Sequence, residues 1–176
     1  ATSEERIGKL LGARRDDVVL ATKFATPIEG GPGGAKPDYI RTAVERSLRL
    51  LQTDRIDLYQ IHRPDADTPI ADTLGALDEL VQAGKVREIG CSNFSAAQLD
   101  EAHAAAGDGA RFVSVQNHFN LLHRDDEGTV LPTAERLDVA HVPYFPLASG
   151  LLTGKYSRGA APAADSRLAR WGERGS

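Results

Sequence analysis

The sequence predicts a one-domain α/β protein in which parallel strands alternate with crossover helices, and three observations carry that prediction. Short apolar runs of strand type begin at residues 18, 56, 86, 112 and 142. Their recurrence, about 30 residues, is what a parallel strand with a return helix requires. The runs are near-continuous rather than alternating, as suits strands covered on both faces. Between them lie segments of helical period, such as Ile40, Val44, Leu48 and Leu51.

Taken in order, Thr2 and Glu5 form a capping box that opens a helix over Ser3 to Leu11. Val18 to Thr22 is the first strand, and Gly30-Gly31-Pro32-Gly33-Gly34 a flexible loop. Asp38 caps a second helix. Ile56 to Ile61 is the second strand, and Pro69 opens a helix that stops at Gly84. Val86 to Cys91 is the third strand, followed by a helix from Ala96 to Ala106. Phe112 to Gln116, a helix from Val130 to Leu137, and a strand from Val142 to Phe145 complete the pattern. The tail at 157–176, rich in Gly, Ala and Arg, reads as loop or poorly ordered chain.

Two architectures fit this alternation: an open doubly wound sheet, or part of an eight-stranded barrel. The loop after the first strand has no G-x-G-x-x-G opening a helix, and five units are too few to close a barrel of roughly 250 residues. Periodicity alone leaves both open.

Bulk properties exclude several function classes. The chain has 176 residues, 41% hydrophobic and 26% charged, with a formal net charge of −4. That balance argues against nucleic acid or an anionic membrane as the main partner, and no apolar run reaches the length of a membrane span. One cysteine, Cys91, allows no internal disulfide and fits a cytoplasmic location. Gly150 to Lys155 resembles a phosphate loop but has one residue too few between its glycines and no Ser or Thr after Lys155. The five histidines show no metal-ligand spacing, and no G-x-S-x-G elbow is present.

In either architecture, ligands sit at the carboxyl ends of the strands. After the five apolar runs come Lys23, His62, Ser92 with Asn93, Gln116 with Asn117, and Tyr144. Strand ends are polar by default, so each alone reads as a capping or snorkelling group. Five ends that all carry hydrogen-bonding or proton-transferring groups point to chemistry.

The segments "VVLATK", "DLYQIHRPD", "GKVREIGCSNFS", "VSVQNHFNLLHR" and "PYFPLASGLLTGKY" resemble the aldo-keto reductases in order and spacing, most of all the bacterial branch related to potassium-channel β-subunits. The resemblance covers Ser3 to about Tyr156. It implies a (β/α)8 barrel, here about five units of the eight, and reduction of aldehydes or ketones with NADPH by an Asp, Tyr, Lys and His tetrad without a metal. It makes Lys23 the tetrad lysine and His62 the tetrad histidine. It assigns Ser92, Asn93 and Gln116 to the nicotinamide carboxamide, Tyr144 to the nicotinamide face, and Leu147, Ala148, Ser149 and Lys155 to the pyrophosphate. Position 145 is Phe where many relatives have Ser, which removes a side-chain hydroxyl contact and leaves the backbone.

The resemblance also implies that the tetrad Asp and Tyr precede Ala1, and that the closing strand and adenosine-phosphate segment follow Ser176. The expectation is therefore an internal piece of a longer reductase, weakly active or inactive alone, with a small carbonyl compound as substrate. A non-catalytic NADP(H)-binding subunit of the channel β-subunit type is the alternative. The carbonyl substrate, NADP over NAD preference and homo-oligomerisation are not legible at this stage.

Overall fold

The computed structural model describes residues 2–27 and 33–156, with residues 163, 166 and 169 beyond them. Part of the predicted glycine loop and nearly all of the predicted tail at 157–176 fall outside the described residues. The first helix, α1 (Ser3–Leu11), has the predicted capping box: Thr2 Oγ1 accepts from the Glu5 N–H at 3.2 Å, and the Thr2 N–H donates to Glu5 Oε2 at 2.7 Å.

The first strand, β1, covers Ala21–Phe24 rather than the predicted 18–22. The shift has a cause. Asp57 and Leu58 both donate their N–H groups to the Leu20 carbonyl, and the Leu20 N–H donates to the Asp57 carboxylate, so ladder pairing begins at Ala21 opposite Leu58. Val19 is left exposed. Lys23 therefore lies inside a strand, not after one.

Helix α2 (Pro37–Leu51) buries Ile40, Ala43, Val44, Ser47, Leu48 and Leu51, one face at helical period. Asp38 is not its cap. Lys36 holds the cap position without a side-chain bond and Pro37 opens the first turn, where its missing N–H costs nothing. Asp38 instead meets Arg41 at 3.0 Å. Strand β2 (Ile56–Ile61) and helix α3 (Ile70–Gln82) follow, then β3 (Val86–Ser92) and α4 (Ala96–Ala106), capped reciprocally by Ser95 and Gln98. Strand β4 (Phe112–Gln116) leads to α5 (Val130–Arg136).

The last strand, β5, is short, Ala140–His141, and earlier than the predicted 142–145. Pro143 has no N–H to donate, so regular pairing lapses there. The track continues all the same: Val142 donates to Val115 and Tyr144 to Asn117, both at 2.8 Å, and Tyr144 bridges His118 in parallel.

The five strands lie in the order β1-β2-β3-β4-β5, every pair parallel. An open doubly wound sheet reverses its strand order at a switch point; this sheet has no reversal. Successive helices also pack side by side along one face. Consecutive strands with one layer of helices form an arc of a β/α barrel, which decides between the two architectures.

Register sorts the side chains. Phe24, Ile61, Cys91 and Val115 stand in one row and point outward into the helices, where all four are buried. Phe24, Ile61 and Val115 each contribute about 1.5–3 kcal/mol on burial. The alternate row, Lys23, Gln60, Gly90 and Ser114, points inward, and Ser92 opposite Gln116 forms the next inward layer. The helix-facing row is apolar; the inward row is polar. That asymmetry positions the site.

Candidate active site

At the carboxyl ends of the strands a cleft of about 690 Å³ is lined by Lys23, His62, Arg63, Ser92, Asn93, Gln116, Tyr144 and Phe145. Sequence reasoning predicted seven of these eight. Lys23 reaches the cleft from β1 and His62 from the end of β2, on the same sheet face because Lys23 pairs with Gln60, two residues before His62. The His62 N–H donates to the Phe24 carbonyl at 3.1 Å, which ties the two strand ends together.

Asn93 joins the staves. It ends β3 in the left-handed conformation, φ 61°, which Asn tolerates better than most residues. Its N–H donates to the Gln116 carbonyl at 3.2 Å. Its side-chain amide donates to the His62 carbonyl at 2.8 Å and to Ser92 Oγ at 3.1 Å, and its Oδ1 accepts from Tyr144 Oη at 2.9 Å. Ser92 Oγ in turn donates to the Gln116 carbonyl at 2.6 Å. The side-chain amide of Gln116, a donor and an acceptor in one plane, has no hydrogen-bond partner among the described residues.

The Tyr144 ring is backed by a stack. His118 lies nearly parallel to it with centroids 5.3 Å apart, and His123 stacks on His118 at 3.9 Å. Phe145 meets Tyr144 edge-on at 5.4 Å. The Phe145 carbonyl accepts from Asn120 Nδ2 at 3.0 Å and from the Ala148 N–H at 2.9 Å.

The electrostatics follow from the enclosure. Burial lowers the Lys23 pKa below that of a free lysine. Burial first, then the charges of Arg63 and Lys23, pushes His62 below its ordinary value, so the imidazole is neutral at pH 7. Lys23 has no carboxylate partner among the described residues.

Leu147, Ala148, Ser149 and Lys155 lie outside this cleft, in and beside a tight turn at Ala148–Thr153. Ala148, Ser149 and Gly150 all have positive φ (46°, 56° and 98°). A methyl at Gly150 would fall 2.9 Å from Lys155 Cε and Nζ, so that side chain folds back over the turn. Sequence reasoning passed over three residues of this region: Arg63, Thr26 and His118. The first is the immediate neighbour of His62, a signal that was present.

A profile of the aldo/keto reductase family matches residues 1–172. The chain belongs to that family. It is 43% identical over 157 residues to aldo-keto reductase YhdN of Bacillus subtilis, covering 87% of this chain and 46% of that protein. Among solved structures, it superposes with a TM-score of 0.80 and 36% identity on a glycerol dehydrogenase from Gluconobacter oxydans, over 93% of this chain and 51% of that one. With an aldo-keto reductase from Bacillus halodurans in its holo form the TM-score is 0.78 and the identity 33%, over 97% of this chain and 57% of the other. This aldo/keto reductase chain thus spans about half the length of the relatives it matches, and its five β/α units are an arc of the (β/α)8 barrel. No helix among the described residues is long and apolar enough to cross a membrane.

Proposed function

We propose that the cleft serves NADP(H)-dependent reduction of aldehydes and ketones to alcohols. The observation that supports this is the convergence of Lys23 and His62, from adjacent strands, on one cleft with Ser92, Asn93, Gln116 and Tyr144. The cleft suits a flat heterocycle bearing a carboxamide: Gln116 offers an unengaged planar amide, and Tyr144 a ring held from behind by His118 and at its hydroxyl by Asn93. Ser92 and Asn93 would complete the carboxamide contacts, while Leu147, Ala148, Ser149 and Lys155 would take the pyrophosphate with one cation and backbone N–H groups other than that of Ala148, which the Phe145 carbonyl already engages. When bound, NADPH supplies the hydride.

The protein residues handle charge and proton. A carbonyl oxygen that gains charge needs a donor beside it, which is the role of His62. The half-buried ammonium of Lys23 lowers the pKa of a neighbouring tyrosine hydroxyl from its usual value of roughly 10. None of the four tyrosines is placed for that: Tyr156 does not line the cleft, and its ring lies 5.2 Å from Lys155 Nζ. Tyr39 donates to the Thr26 carbonyl, Tyr59 is buried on the helix-facing side, and Tyr144 donates to Asn93. The 176 residues alone should therefore bind NADP(H) and turn carbonyls over slowly.

Fluorescence titration of the purified chain with NADPH tests the reading. Saturable binding that Tyr144→Ala weakens is expected, with slow NADPH consumption in the presence of 4-nitrobenzaldehyde. Absence of saturable binding refutes the cofactor assignment; fast turnover refutes the account of the proton donor.

A further inference from the structure

The orientation of the His62 imidazole is set from outside the cleft. Its Nδ1 lies 2.8 Å from Oγ1 of Thr26, two residues past the end of β1 and 36 residues away in sequence. Thr26 is braced in turn: its carbonyl accepts from Tyr39 Oη at 2.7 Å. Helix α2, the loop after β1 and the imidazole thus form one connected line. A hydroxyl beside a ring nitrogen can donate to a lone pair or accept from an N–H, and the two directions put the ring proton on opposite nitrogens.

Among the described residues the Thr26 hydroxyl has no acceptor but Nδ1, which favours donation, and the surroundings set the charge of the ring. The charged groups acting on the ring are Lys23 from β1 and Arg63 on its own segment, both cations. Asn93, just past β3, bonds the His62 carbonyl and not its ring. Glu4 lines the adjoining hollow, but it accepts from Thr22 Oγ1 at 2.7 Å and lies 3.8 Å from Arg46. With two cations nearby and no carboxylate bonded to it among the described residues, the ring is neutral, and one of its nitrogens carries a lone pair. The Thr26 hydroxyl can supply the proton that lone pair needs.

We propose that Thr26 is a positioning residue whose hydroxyl donates to Nδ1 of His62, so that the ring proton sits on Nε2 and an N–H donor, rather than a lone pair, is available to a substrate carbonyl oxygen. The proposal rests on the reductase reading for what Nε2 acts upon, but the hydrogen-bond direction stands apart from it. Were the direction reversed, the second nitrogen would present a lone pair and repel a carbonyl oxygen instead of holding it.

The test is the tautomer of neutral His62, read from two-dimensional 15N–1H NMR above its titration on the full chain labelled at histidine, in the wild type, Thr26→Val and Thr26→Ser. The 15N shifts distinguish a protonated from an unprotonated ring nitrogen, and the wild type should show Nδ1 unprotonated and Nε2 protonated. Thr26→Val, which keeps the shape and removes the hydroxyl, should move the ring toward a mixture of the two tautomers, and Thr26→Ser should restore the wild-type pattern. A wild-type ring protonated at Nδ1 would show the hydroxyl accepting, and a tautomer unchanged in Thr26→Val would show no functional bond; either overturns the proposal. A parallel NADPH titration separates the two readings. Binding without the tautomer change sinks the role of Thr26 alone, and the change without binding sinks the reductase reading alone.

Discussion

Replacing Asp57 by Ala should unfold this chain more readily than any change at the cleft, because Asp57 closes the end of the sheet opposite the site. Its Oδ2 accepts from the Leu20 N–H at 2.9 Å and lies 2.8 Å from Arg15 Nη2, with side-chain exposures of 7% for Asp57 and 12% for Arg15. Arg87 meets Oδ1 at 2.9 Å but is 60% exposed and adds little. Asp57→Ala leaves a buried guanidinium without its charge partner and an N–H without an acceptor, a loss of about 3–5 kcal/mol. With a urea m-value of about 2 kcal/mol/M, the midpoint of unfolding should fall by about 1.5–2.5 M with m unchanged. Asp57→Asn keeps the shape and one acceptor and should lose about half as much.

The pH dependence of that difference carries a sign. Burial raises the Asp57 pKa, but the Leu20 N–H and Arg15 outweigh it, and the carboxyl is held below the usual range. A group depressed in the folded state stabilises it above the unfolded pKa, about 4, and the contribution disappears as pH falls through the folded value. The gap between wild type and Asp57→Asn should therefore be full at pH 7 and narrow below about pH 4. A midpoint for Asp57→Ala within 0.3 M of wild type, or a gap that widens in acid, would refute the reasoning.

Three further outcomes follow from particular contacts. Gly8→Ala drives a methyl into the Leu50 carbonyl oxygen and places it 2.8 Å from the Leu51 carbonyl carbon, both backbone atoms of α2. The helices must part, at about 1–3 kcal/mol, and calorimetry should find Tm lower by about 3–10 °C. His118→Ala removes the ring behind Tyr144, and loss of one aromatic pair should weaken NADPH binding by roughly 2–10-fold in a fluorescence titration, with His118→Phe near wild type. Lys23→Met removes a half-buried charge that has no carboxylate partner among the described residues, so the urea midpoint should rise while the slow carbonyl reduction proposed for the cleft is lost. A midpoint below wild type would show that the ammonium is compensated in the folded chain.

Where local chemistry determines an element, its boundaries were readable from sequence. Helix α4 begins at the predicted Ala96 because Ser95 and Gln98 bond each other's N–H groups, an arrangement encoded within four residues. Strand β1 was misplaced because its start depends on Asp57, which captures Leu20 from across the sheet. Strand β5 was misplaced because Pro143 interrupts it, a signal visible in the sequence but outweighed there by its apolar neighbours. The strand-end rule brought His62, Ser92, Asn93 and Gln116 to the cleft because β2, β3 and β4 end where expected; Lys23 and Tyr144 line it although β1 and β5 were misplaced, and Asn117, named by the same rule, is buried against the Phe94 carbonyl instead. Thr26 and His118 act through rings and hydroxyls brought together by register, and no local pattern marks them.

Asn93 shows how far such a position can be understood once the fold is known. The residue there must turn the chain at φ 61°, donate to His62 and Ser92, and accept from Tyr144. Glycine meets the backbone demand and none of the others. Aspartate offers acceptors only, and would face the His62 carbonyl oxygen with a negative charge. Histidine tolerates the conformation but cannot send two donors and an acceptor in three directions. Only a short side chain ending in an amide satisfies all four conditions. These side-chain bonds, with the Asn93 N–H on the Gln116 carbonyl, tie the ends of β2, β3 and β4 to the segment bearing Tyr144.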